Sequence, residues 1–223
     1  MPVEVDQIIR TKRKTIAIIV RPDGSLLVRA PLRASNQSIQ EFVANNTRWI
    51  ERTRARIKTV APPPPKQYVP GEEFEYLGNT YPMEIVVDQM KSLLLEDGKF
   101  KLASCMQDKA ALVFERWYKE QARQILSERV EYYARQNEFQ YRKIGITSAR
   151  TRWGSCSATG ALNFSWRLIQ APIEAVDYVV VHELVHTVIH NHSKKFWKRL
   201  ELSMPDYRER RKWLRSNGHR LLV

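Results

Sequence analysis

The order of hydrophobic and polar positions predicts that the first part of the chain is rich in β-structure. Two apolar, β-prone runs at 15–20 and 25–30 are separated by an Arg-Pro-Asp-Gly segment at 21–24, which is typical of a turn. Residues 8–31 are therefore expected to form a β-hairpin with two or three strands. Apolar residues at helical spacing then predict a single amphipathic helix over about 38–58.

A run of prolines interrupts the chain after this helix. Consecutive prolines cannot lie in a helix interior and favour the extended polyproline II conformation, so residues 61–66 are expected to form a stiff connector. Turn signals then separate four expected strands, at 73–77, 80–87, 93–96 and 99–102. We accordingly expect a β-rich N-terminal region with one helix over 1–103, including the connector, and a second domain over 104–223.

The second domain is predicted to combine long helices with a small group of strands. Residues 108–136 have apolar positions at near-helical spacing and contain neither glycine nor proline, which predicts one long helix. A further helix should begin after Ala171-Pro172 and run to about His190. Between these helices, strands are expected at 143–148, 151–155 and 161–168. The predicted fold class is α+β.

The composition is that of a folded protein, since 43% of the 223 residues are hydrophobic and 27% are charged. No stretch approaches the ~18 consecutive apolar residues that a membrane-spanning helix needs, so no membrane association is expected. The chain starts with acidic residues and lacks the apolar segment of a signal peptide, which favours a cytoplasmic location. Cys105 and Cys156 are expected to be free thiols there.

The formal net charge is +13, and the excess of basic residues is concentrated towards the C-terminus. Between residues 194 and 220, Glu201, Asp206 and Glu209 are outnumbered by basic residues, which are Lys194, Lys195, Lys198, Arg199, Arg208, Arg210, Arg211, Lys212, Arg215 and Arg220. A positive field of this kind attracts nucleic-acid phosphates or acidic partners. The same charges are typical of a solvated helical surface, so both interpretations stay open.

The helix predicted after residue 172 contains the sequence HELVH, which matches the HExxH pattern. A spacing of four residues places His182 and His186 one turn apart on the same helix face, where both imidazoles can reach one Zn²⁺ ion. Glu183 lies beside them and is expected to act as general base for a metal-activated water. The pattern therefore predicts a hydrolytic zinc site with one ion per chain.

A catalytic zinc ion usually has three protein ligands, and two nearby histidines could supply the third. His190 could share the ligand face only if the helix continued undisturbed. His192 would approach from another direction if the helix ended near Asn191, a residue that tolerates the left-handed conformation. We favour His192 as the third ligand, with His190 as the alternative.

Two segments that precede this helix are expected to pair as a hairpin beside the metal site. They contain five candidate substrate-binding residues: Arg152, Trp153, Asn163, Phe164 and Trp166. An edge strand of this hairpin could pair with the main chain of an extended peptide, and its aromatic side chains could line pockets for the substrate. Packing in the core would explain the same aromatic residues equally well.

Together, these segments resemble the YgjP-like metallopeptidases, which are bacterial and archaeal relatives of the SprT-like and WLM zinc proteases. The resemblance rests on HELVH at 182–186, NHS at 191–193 and FW at 196–197, and on residues 151–157 and 162–168. It covers most of the chain and is most specific over 150–197.

This resemblance implies a zincin-like metallopeptidase domain that hydrolyses peptide bonds. His182, His186 and His192 would be the zinc ligands, and Glu183 would be the catalytic base. The implied partner is a peptide or protein substrate, and we expect a monomer. One alternative is a nucleic-acid-associated protein, including a DNA-linked protease, whose basic C-terminal helices bind nucleic acid. Another is a zinc hydrolase of a non-peptide amide or ester.

Overall fold

A computed structural model describes residues 3–21, 23–59 and 64–222. The chain forms two compact units, residues 1–63 and residues 64–223. Among the described residues, the fold is a mixed α+β structure with six α-helices and three small sheets, as predicted. No helix in these residues is long and apolar enough to cross a bilayer. Cys105 and Cys156 are free.

The first unit contains a three-stranded sheet, with the strands β1 (Gln7–Thr11), β2 (Ala17–Val20) and β3 (Leu26–Pro31). The sheet order is β1-β3-β2. The predicted hairpin is confirmed, because β2 and β3 are antiparallel neighbours, and β1 adds a parallel strand on the other side of β3. Pro22 of the predicted turn lies outside the described residues.

Two helices follow in this unit, α1 (Asn36–Asn45) and α2 (Thr47–Thr59), so the prediction of one helix over 38–58 is wrong. The break lies at Asn46, whose side-chain amide donates to the Phe42 carbonyl at 2.7 Å. Asparagine competes in this way with the backbone hydrogen bonds of a helix, and a continuous helix ends there. Half of the predicted connector, residues 61–63, lies outside the described residues.

The second unit begins with the four predicted strands, now β4 (Glu73–Tyr76), β5 (Asn79–Val86), β6 (Leu93–Glu96) and β7 (Lys99–Ala103), in the sheet order β4-β5-β7-β6. This sheet packs on the long helix α3 (Ala110–Asn137), where the Phe114 ring lies 4.2 Å from Phe74 and 5.2 Å from Phe100 between centroids. Because this sheet and α3 share one core, the units divide near residue 63, and not at the expected boundary of 103/104.

A third sheet consists of β8 (Lys143–Thr147), β9 (Gly154–Cys156) and β10 (Ala161–Ser165) in the order β8-β10-β9. β10 is the central strand, parallel to β8 and antiparallel to β9, so β9 is an edge strand. The strand predicted over 161–168 ends at Ser165, because residues 166–170 form a 3₁₀ helix. Three helices complete the unit: α4 (Ile173–Val185), α5 (Lys194–Ser203) and α6 (Tyr207–Asn217).

Candidate metal centre and active site

Helix α4 carries the HELVH segment and ends earlier than predicted. Its last helical residue is Val185, and His186 is the C-cap. The following turn is tightened by Thr187, whose backbone amide and hydroxyl both donate to the Leu184 carbonyl, at 3.0 and 2.7 Å. Such short-range bonds satisfy the free carbonyls at a helix end. The expected continuation to His190 is therefore wrong, and the chain turns away directly after His186.

Three imidazoles meet at this end of α4. The Nε2 atom of His192 lies 3.0 Å from Nε2 of His182 and 3.2 Å from Nε2 of His186. Among the described residues, the group of potential ligand atoms that converge here contains His192 and not His190, whose side chain is exposed. The early turn after His186 is what lets His192 approach from a different direction.

The geometry of the three nitrogens fits one tetrahedral metal ion. Zn–N bonds of ~2.0–2.1 Å at tetrahedral angles would place two ligand nitrogens about 3.3 Å apart, close to the separations in the structure. The His186 Nδ1–H group donates to the Ile189 carbonyl at 3.0 Å, which leaves a lone pair on its Nε2. A metal ion shared by the three rings would satisfy all three facing nitrogens together.

The protonation states of these imidazoles also suit a metal site. Burial lowers the pKa of His182 to about 3, and the nearby His186 and His192 rings contribute to the shift. Burial lowers the pKa of His186 as well. Both rings are therefore neutral near pH 7 and able to donate a lone pair to a cation. The Nδ1 atom of His182 is buried and has no hydrogen-bond partner among the described residues.

The three histidine rings rest on one aromatic side chain, Phe196 of α5. Its ring centroid lies 4.9 Å from His182, 4.6 Å from His186 and 4.7 Å from His192, and its side chain is fully buried. The adjacent Trp197 contacts His192, with 5.7 Å between centroids. In the sequence, Phe196 and Trp197 contributed to the family resemblance, but no role was predicted for them. The only local signal was their position on an amphipathic helix just after His192.

Glu183 lies under the edge strand β9. Its side chain is 6% exposed, and burial raises its pKa to about 7, while the positive charge of Arg152 opposes that shift. Gly154 of β9 packs directly against it. A Cβ atom at this position would lie 2.6 Å from Cγ and 2.7 Å from Oε1 of Glu183, so only glycine leaves room for the carboxylate. Gly154 was not predicted to be a functional residue.

The structure separates the five candidate substrate-binding residues into two groups. Trp153 lines the pocket beside Glu183, and Arg152 is exposed nearby. Asn163 lies on the central strand with its side chain over Gly145. Phe164 is fully buried, and Trp166 is buried in a stack on Tyr118 with 5.5 Å between centroids. The burial of Phe164 and Trp166 favours core packing over the alternative prediction that they line substrate pockets.

A pocket of about 320 Å³ adjoins the histidines and Glu183. It lies between the start of β9, α4 and α6, and its lining residues are Trp153, Gly154, Tyr178, Val179, His182, Glu183, Arg211, Leu214 and Arg215. The contributions from α6 were not predicted. Sequence patterns could not reveal them, because α6 is distant from HELVH along the chain.

Helix α4 is held in place by an ion-pair network around Asp177. Arg129 of α3 donates to both carboxylate oxygens of Asp177, at 2.6 and 2.7 Å, and the Tyr133 hydroxyl donates at 3.0 Å. Arg210 of α6 lies 3.6 Å from the same carboxylate. Asp177 is 4% exposed, so this network joins α3, α4 and α6 within the core.

A buried carboxylate beside three converging imidazoles, on an α+β scaffold, is typical of metallopeptidases. A family model described as "YgjP-like, metallopeptidase domain" matches residues 14–217, and the chain belongs to this family. Comparisons with curated proteins and with solved structures found no match. Membership of the family supports a peptidase-type hydrolase that uses a metal ion.

Proposed function

We propose that this protein is a zinc-dependent metallopeptidase in which Glu183 is the general base. The observation that carries the proposal is the convergence of the Nε2 atoms of His182, His186 and His192 beside the Glu183 carboxylate. Three converging imidazoles, with no fourth protein ligand among the described residues, are typical of a catalytic zinc site, since a structural site usually has four. When bound there, Zn²⁺ would polarise the scissile carbonyl and acidify a water molecule.

The protein's own groups would carry the proton and orient the substrate. Glu183 would accept a proton from the attacking water and deliver it to the amine nitrogen as the C–N bond breaks. Gly154 keeps the carboxylate in its position by leaving space for it. The free edge of β9 would pair with the main chain of an extended peptide, as an added strand does on a sheet edge.

The decisive test is Glu183→Gln, measured by elemental analysis and by peptide hydrolysis. Glutamine has nearly the same shape but cannot accept the proton from water. We expect about one zinc per chain to remain, and hydrolysis to fall by ~10²–10⁴. An unchanged rate would show that Glu183 is not the base.

The histidines provide the matched comparison for the metal. His192→Ala should lose zinc, because one of three ligands is removed, while His190→Ala should retain it, because this side chain lies outside the triad. Loss of zinc from His190→Ala with retention in His192→Ala would contradict the proposed ligand set.

A further inference from the structure

The pocket beside Glu183 has apolar walls. Tyr178 of α4 and Leu214 of α6 are both buried residues that line it, and Trp153 contributes an aromatic ring. The pocket is continuous with His182 and Glu183, and its volume of about 320 Å³ is at the lower end for ligand pockets. A side chain next to the scissile bond could enter it with its aliphatic part against these walls.

Two arginines of α6, Arg211 and Arg215, complete the lining. In the part of the chain that the structure describes, neither forms an ion pair. Two other arginines of the same helix are paired: Arg208 lies 3.0 Å from Glu201, and Arg210 lies 2.8 Å from Asp206. The two cations that face the pocket therefore remain available for an anion.

The Arg211 side chain is also oriented before any ligand arrives. Its guanidinium carbon lies 4.6 Å from the centroid of the Trp197 ring, and Trp197 in turn contacts His192. Stacking fixes the plane of a guanidinium and leaves its N–H groups free to donate in that plane. A planar anion such as a carboxylate can accept two parallel hydrogen bonds from such a group.

We propose that Arg211 and Arg215 make this pocket a specificity site for substrates with a carboxylate next to the scissile bond. The inference rests on the proposed peptidase function. Glutamate fits best, because its methylene groups would pack on Tyr178 and Leu214 while its carboxylate reaches the arginines. A free C-terminal carboxylate one residue beyond the scissile bond offers the same chemistry.

The test uses the full-length, zinc-loaded protein and quenched fluorescent peptides that differ only at the residue on one side of the scissile bond. Glutamate, glutamine and lysine are compared in C-terminally amidated peptides. A further peptide ends in a free carboxylate at that position, which distinguishes the two sources of the anion. We expect kcat/KM for the glutamate peptide to exceed that for the glutamine peptide by roughly tenfold to a hundredfold, as for a hydrogen bond to a charged group.

Variants of α6 identify the residues responsible. In the double variant Arg211→Gln/Arg215→Gln, the glutamate-to-glutamine ratio should fall towards one. Arg215→Glu, at an exposed position where folding is not at risk, should shift the preference towards the lysine peptide. Lys212→Gln removes the same charge from an exposed residue of α6 outside the pocket, and it should leave the ratio unchanged.

Equilibrium binding of the same peptides to Glu183→Gln separates this inference from the peptidase proposal. One outcome is that the wild-type protein hydrolyses no peptide while Glu183→Gln still binds glutamate peptides more tightly through Arg211 and Arg215. In that case the pocket inference stands and the peptidase proposal fails. If the wild-type protein hydrolyses the glutamate and glutamine peptides with equal kcat/KM, the pocket inference is overturned and the peptidase proposal stands. Loss of oligonucleotide binding in the double variant, without any peptide preference, would assign the arginines to phosphates and also overturn the inference.

Discussion

At the scale of single residues, Gly154 controls the space in which the Glu183 carboxylate lies. The backbone of β9 is fixed by its pairing with β10, so a Cβ at 154 would displace Glu183 and not the strand. We expect Gly154→Ala to retain zinc and to lower kcat by about 100-fold, since small displacements of reacting groups cost that much.

Peptide hydrolysis and elemental analysis of the purified variant measure these two effects. The matched control is Ser155→Ala, because adjacent strand residues point to opposite sides of the sheet. A normal kcat in Gly154→Ala would mean that the carboxylate can act from another position.

At the scale of secondary-structure elements, the site depends on how α4 is anchored between α3 and α6. Asp177 makes the anchoring contacts and is almost fully buried, so its removal leaves the partly exposed Arg129 without its carboxylate partner. We expect Asp177→Ala to lower the free energy of unfolding by about 3 kcal/mol, as is usual when one partner of a buried ion pair is removed.

Denaturant unfolding measures this effect, and Glu131→Ala is its control. Glu131 pairs with Arg135 on the exposed face of α3, where an ion pair contributes about 1 kcal/mol or less. Equal stability losses in the two variants would show that the buried network is not what holds α4.

At the scale of the whole molecule, the C-terminal positive charge is not one uniform surface. Arg208 and Arg210 form ion pairs with Glu201 and Asp206, and Arg199 donates to the Asn137 carbonyl at 2.7 Å. Three of the ten basic residues between 194 and 220 therefore form contacts within the fold. The exposed cations at the start of α5 are of a different kind, because Lys194, Lys195 and Lys198 form no ion pair among the described residues.

We propose that any affinity for nucleic acid resides in Lys194, Lys195 and Lys198. Binding to single-stranded DNA should weaken with salt at a log–log slope of about −0.7 per phosphate contact, and replacing the three lysines by glutamine should flatten the slope by about 2. Fluorescence anisotropy over a salt series measures this, with Arg208→Gln as the control. If no binding is detectable at ~50 mM salt, the charge serves solubility alone.

Local sequence patterns determined most of the elements and the core of the candidate site. The β2–β3 hairpin, the four strands β4–β7 and helix α3 were predicted, because turn residues and apolar periodicity are properties of neighbouring positions. The convergence of His182 with His186 follows from the pitch of a helix. His192 was predicted as the third ligand because the helix that carries HELVH was expected to end before it.

Only the tertiary structure decided which surfaces meet. Periodicity shows that Trp153, Phe164 and Trp166 are apolar positions, but the sheet order places Phe164 on the central strand and leaves Trp153 beside the pocket. Gly154 contacts Glu183, and Arg211 contacts Trp197, because separate elements of the fold pack together. Contacts of this kind depend on how elements pack together, and a pattern of neighbouring residues carries no information about them.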